Sequence, residues 1–225
     1  MIPIRDTVPS RHRPVMTWLL IITNLLVFLY QQSLDPLAYR LLNGEFGLIP
    51  LRFFQNGVDG FQELTPFLSH LFLHAGWMHL IGNMWALWLF GDNVEDLMGP
   101  FRFLLFYICA GIVAGLVHVF SDPALPIPTI GASGAIAGVM GAYFILFPSS
   151  RIVTIIPLFF IPLFIEIPAL VYLAFWLLSQ VYSALVSSQL ETVSNIAWSA
   201  HIGGFIAGIF LHRFFFRVRR GRYRF

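Results

Sequence analysis

Residues 131–148 read GASGAIAGVMGAYFILFP, an apolar run that opens on a serine between small residues and stops at a proline. As an α-helix from Ser133 to Pro148 it is roughly 22 Å long at about 1.5 Å per residue, short of the roughly 30 Å hydrocarbon core of a bilayer. Ser133 then lies below one membrane surface. The preceding stretch, residues 121–132, carries Pro123, Pro126 and Pro128 and cannot continue as a helix, so it must dip inward to meet Ser133. Non-helical backbone at that depth requires protein cover or a wet cavity. This one segment asks for a membrane protein with a pocket in it.

The whole chain agrees. Of its 225 residues 58% are apolar and 11% charged, against about 25% charged in soluble domains. So apolar a surface must face lipid, and nothing in it points to a nucleic-acid partner. Six stretches are long and apolar enough to cross: roughly 15–33, 72–90, 101–120, 133–148, 168–187 and 196–215. The expected fold is therefore an all-α polytopic membrane protein with six transmembrane helices and a long first outer loop over residues 34–71. All thirteen basic residues are Arg. Arg5, Arg11 and Arg13 precede the first span, and Arg213, Arg217, Arg219, Arg220, Arg222 and Arg224 follow the start of the last turn of the sixth. By the positive-inside rule both ends are cytoplasmic, which six spans satisfy. The expected division is a cytoplasmic segment over 1–14, a membrane domain over 15–216 and an Arg-rich tail over 217–225, in a prokaryotic inner membrane. The acidic group Asp92, Glu95 and Asp96 falls on the same side. The single Cys109 permits no intrachain disulfide.

Polar side chains inside spans are costly and mark function by default. His201 lies 15 residues before Phe216, at a depth matching that of Ser133, and the fourth and sixth spans run in the same direction. Gly134 and Gly138 on one, and Gly204 and Gly208 on the other, form small-xxx-small faces that allow close approach. On the second span His79 and Asn83 share a face at i, i+4, with His74 just before them. Acyl transfer requires a nucleophile, a base and donors for an oxyanion. Ser133, His201 and the pair His79 and Asn83, with the Ser133 backbone N–H, can fill those places. Taken singly, each has a plainer explanation: Ser133 as a helix cap, His201 as a packed histidine, His70 and His74 as interfacial or metal-binding. His12, His118 and His212 have no polar company in the sequence and read as structural.

At these residues the sequence resembles the rhomboid family of intramembrane serine proteases. The resemblance rests on Gly131-Ala132-Ser133-Gly134, on His201-Ile202-Gly203-Gly204 with Gly208, and on the run from His74 to Asn83. Gly91 and the stretch Glu95 to Gly99 also fit, and the match covers roughly residues 62–210. It implies a six-helix core, a Ser133–His201 dyad without an acidic third member, and oxyanion stabilisation by His79 and Asn83. It further implies no metal or other cofactor, and transmembrane proteins as substrates, with lipid as the surrounding partner. Two positions depart from the pattern. Glu63-Leu64-Thr65-Pro66 stands where many members have a Trp-Arg pair, and Ala137 stands where some place an aromatic that stacks on the histidine. Two other function classes stay open at this point: a rhomboid-like protein that binds transmembrane helices without catalysis, and a metal transporter built on His70, His74, His79 and His201. The second would need an intramembrane carboxylate, for which Glu166, expected near the cytoplasmic side, is the main candidate.

Overall fold

Helix boundaries follow the chain's own punctuation. In the computed structural model, which describes residues 2–55, 64–158, 161–189 and 196–216, six long helices can be labelled in order. They are α1 (Val15–Ser33), α2 (Trp77–Met98), α3 (Pro100–Ser121), α4 (Ser133–Leu146), α5 (Ala169–Gln189) and α6 (Trp198–Phe215). Gly99 separates α2 from α3 at φ 79°, a left-handed conformation suited to glycine. Pro100 then starts α3 where its missing N–H costs nothing. Among the described residues, α1, α3 and α5 are long and apolar enough to cross a membrane. Their outward faces carry exposed large apolar side chains, among them Leu26, Phe120, Phe175 and Leu178. The protein is mostly helical, integral and multi-pass.

The second helix differs from the expected span of 72–90. It starts five residues later, after a 3₁₀ turn over His70–Phe72, and runs on through three acidic residues. The extension is possible because each acid has a partner. Glu95, 3% exposed, accepts from the Met16 and Thr17 N–H groups at 2.9 and 2.7 Å and from the Thr17 hydroxyl at 2.8 Å. That is a carboxylate seated on the N-terminus of α1, where unpaired N–H groups and the helix dipole favour it. Asp96 pairs with His12, so His12 does have polar company, and Asp92 accepts from Ser10 at 3.1 Å.

The all-α expectation holds for the helical body only. A three-stranded antiparallel sheet, β1 (Ile2–Asp6), β2 (Arg151–Leu158) and β3 (Ile161–Pro168), is built from the N-terminal segment and the connection between α4 and α5. The β-branched run Ile152 to Ile156 favours strand, and Pro157 and Pro162 oppose helix. The N-terminal segment thus contributes β1, which is tied to the body by side chains. Trp85 Nε1 donates to the Pro3 carbonyl at 2.7 Å, and Asp6 accepts from the Tyr143 hydroxyl at 2.5 Å and from Asn93 at 2.6 Å. Burial pushes the Asp6 carboxyl up to about 6. Glu166 lies on β3, its exposed carboxylate 3.9 Å from Arg151. Between α1 and α2 the described residues form helices Pro36–Phe46, Pro50–Gln55 and Pro66–Ser69. Glu63 and Arg217 onward lie outside the described residues.

The short α4 is the axis of the molecule. Ten of its 14 residues, Gly134 to Tyr143, are buried, and α2, α3, α5 and α6 all pack on it. Its contact with α6 is backbone on backbone. A Cβ added at Gly204 would lie 2.1 Å from the Gly134 carbonyl oxygen, and one at Gly208 would lie 1.9 Å from that of Gly138. Only glycine permits this approach. Phe90, Phe103, Phe106, Tyr107, Tyr143 and Phe205 are the large side chains of the core around it.

Candidate active site

The chain enters α4 through Gly131, held at φ 135°, with its N–H donating to the His70 carbonyl at 2.9 Å. A Cβ there would stand 2.7 Å from His79 Nε2, so glycine is required both by the backbone conformation and by the ring beside it. Two residues on, Ser133 begins the helix. The glycine contacts bring α6 alongside, and His201 Nε2 sits 2.8 Å from Ser133 Oγ. The two residues are 68 apart in sequence and meet because both helices present small faces at the same depth.

The other nitrogen of His201 is also engaged. Nδ1 lies 2.8 Å from Gln180 Oε1 on α5. The ring is flanked by Trp176 and Trp198, with centroids at 6.1 and 6.0 Å. These contacts account for Ala137. That position is fully buried in the α4–α6 contact, 3.3 Å from where a Gly204 Cβ would be, and has no room for an aromatic ring. The indole of Trp176, from α5, lies beside the imidazole instead.

His79 and Asn83 line the same cavity as Ser133, Gly131 and His201, a space of about 540 Å³. Asn83 is held from behind. Its Nδ2 is 3.0 Å from His74 Nε2, and the His74 N–H donates to Gln31 Oε1 at 2.9 Å. Gln31 Nε2 in turn donates to Asn43 Oδ1 at 2.9 Å. Asn83 has a second amide hydrogen, free of the His74 contact. His70 also faces the cavity, but its Nδ1 donates to the Pro66 carbonyl at 2.6 Å. The histidines proposed as metal ligands are thus spread over separate hydrogen-bonding duties. A second cavity of about 300 Å³ leads from Ser133 and His201 between α2 and α5, past Trp85, Phe90, Tyr172 and Trp176.

His118, like His12, reads as structural in the sequence and has polar partners in the fold. His118 Nε2 meets Thr129 Oγ1 at 2.8 Å and Nδ1 meets Ser199 Oγ at 3.0 Å, tying α3 to the proline-rich loop and to α6. Its neighbours along α3 are apolar, and its partners come from elements that only the fold brings near. His212 caps its own helix, with Nδ1 2.8 Å from the Ile209 carbonyl. Gln180 and Gln31 were missed as site residues, although a polar amide within an apolar span is a signal in itself.

Comparison with known proteins gives the same picture as the site. A family model described as the rhomboid domain matches residues 62–218. The chain is 34% identical over 157 residues to the rhomboid protease GluP of Bacillus subtilis, covering 69% of this chain and 27% of that protein. It is 31% identical over 146 residues to the mitochondrial Rhomboid protein 1 of Saccharomyces cerevisiae, covering 63% and 39%. It is 29% identical over 116 residues to the mitochondrial presenilin-associated rhomboid-like protein of Homo sapiens, covering 51% and 30%. The matches span well under half the length of each of these relatives. Since that domain takes in α2 to α6 with Ser133, His201, His79 and Asn83, the chain belongs to the rhomboid family.

Proposed function

We propose that the protein is an intramembrane serine endopeptidase that hydrolyses peptide bonds in or beside transmembrane segments of other membrane proteins. The observation that carries this reading is the 2.8 Å contact between Ser133 Oγ and His201 Nε2, both of which line a cavity. At that distance His201 takes the Ser133 proton as Oγ attacks the substrate carbonyl. The Ser133 N–H starts α4 and has no carbonyl one turn back to bond. It faces the developing oxyanion together with His79 and Asn83. His201 then protonates the leaving amine, and water entering through the cavity resolves the acyl-enzyme.

The six helices α1 to α6 are proposed as six spans, with both chain ends on the cytoplasmic side. Arg5, Arg11, Arg13, Arg102, Arg151 and Arg213 all flank that side by helix direction, while Arg40 and Arg52 lie toward the other. The substrate is a membrane protein whose cleavable segment reaches the level of Ser133.

The oxyanion assignment has its own expected outcome. Losing one such donor costs on the order of 10²–10³ in kcat. Asn83→Ala and His79→Ala are each expected to fall into that range without reaching zero, because the backbone N–H and one side chain survive. Steady-state kinetics on a transmembrane substrate in proteoliposomes check this. An unchanged kcat for either variant removes its side chain from the oxyanion role. In the same assay a chelator is expected to leave the native rate intact, whereas loss restored by zinc would favour the metal reading.

A further inference from the structure

Gln180 on α5 is not among the motif residues on which the resemblance rests, yet it touches the ring proposed as base. It is 7% exposed, and every polar atom of its amide has a partner. Nε2 lies 3.3 Å from the Trp176 carbonyl oxygen and 3.0 Å from Ser179 Oγ, and Oε1 lies 2.8 Å from His201 Nδ1. A carbonyl oxygen can only accept, so the amide nitrogen must face Trp176 and the amide oxygen must face His201. The amide oxygen also only accepts, so Nδ1 carries the ring hydrogen. A neutral imidazole has one N–H. Nε2 is therefore bare and accepts from Ser133 Oγ. The opposite tautomer would set two acceptors against each other at 2.8 Å and turn an N–H toward the hydroxyl that has to lose its proton.

We propose that Gln180 is a positioning residue that fixes the tautomer and orientation of His201, doing with a neutral amide what a buried carboxylate does in other serine hydrolases. The proposal rests on the reading of Ser133 as nucleophile and His201 as base. A neutral acceptor suits the location, since an ionised carboxylate in an apolar span carries a large desolvation cost. It also links the dyad to the most exposed of the three apolar spans. Fewer residues of α5 are buried within the protein than on α1 or α3, so the reactive tautomer depends on α5 remaining seated against α6.

The test compares native chain, Gln180→Leu and Gln180→Glu in proteoliposomes, with ¹⁵N-labelled histidine. Ring ¹⁵N shifts of His201 are expected to report an Nδ1–H, bare-Nε2 imidazole in the native chain and in Gln180→Glu, and a mixture of tautomers in Gln180→Leu. Gln180→Leu is expected to lose roughly 10- to 100-fold in kcat at little-changed KM, less than the roughly 10⁴-fold seen where a wrong tautomer is enforced. Gln180→Glu, of equal length, is expected to recover part of that rate, and more of it as rising pH ionises the carboxyl into a pure acceptor. A merely structural role would move the thermal midpoint and KM but leave the tautomer alone. The proposal is overturned if Gln180→Leu keeps the native tautomer, or if it cleaves at the native rate. If the native chain itself neither cleaves nor labels at Ser133, the catalytic reading falls, and the spectrum still decides separately whether Gln180 sets the tautomer.

Discussion

Ser133→Ala and His201→Ala are each expected to lower kcat on a transmembrane substrate by roughly 10⁴- to 10⁶-fold, and the double variant to lower it no further. Groups that act as one unit are not additive: a base with no hydroxyl to deprotonate does nothing, and neither does a hydroxyl with no base. The side chains are joined by one 2.8 Å contact. Removing either leaves the α4–α6 packing intact, because that packing is made by glycines and backbone carbonyls. Insertion into membranes and the thermal midpoint should therefore stay near native values while turnover disappears. Cleavage by either single variant at more than a few per cent of the native rate would remove that residue from the chemistry.

The second large effect is expected where no chemistry occurs. Gly208→Leu, and to a lesser degree Gly208→Ala, should lower kcat by about 10²-fold or more. The new Cβ would need to sit 1.9 Å from the Gly138 carbonyl oxygen, and a backbone atom cannot swing aside as a flexible side chain can. The helices must part. Hydrogen-bond reach at the dyad is only about 2.6–3.2 Å, so a separation near 1 Å breaks it two turns away. Gly204→Leu acts in the same way through the Gly134 carbonyl. In lipid there is little hydrophobic drive to restore the contact, and the thermal midpoint should fall as well. Gly44→Ala, with nothing within 4 Å of its added Cβ, is the control and should behave as native. Native turnover by Gly208→Leu would show that this contact does not set the distance between Ser133 and His201.

Much of this arrangement could be read from the chain before any coordinates. Hydropathy marks the apolar helices because each must satisfy its backbone internally, and the depth argument places Ser133 level with His201 because helical rise is constant. Other features depend on partners distant in sequence. The acidic residues that seem to end α2 are tolerated within it because Met16 and Thr17, some 78 residues earlier, supply donors to Glu95. The sheet is absent from the all-α expectation, because β2 is held by pairing with residues 2–6, far away in sequence, and with β3. His118 seemed unaccompanied because Ser199 is 81 positions away. Gln180 faces His201 only because α5 packs on α6, which no local pattern along α5 encodes.

The account turns on Ser133 being the nucleophile, and covalent labelling measures that most directly. A fluorophosphonate applied to the native chain in proteoliposomes, followed by peptide mapping, is expected to place a single adduct on Ser133. Labelling should abolish cleavage in step with its stoichiometry and should be absent from His201→Ala. An adduct on any other residue, or a chain that still cleaves with Ser133 fully labelled, would contradict it.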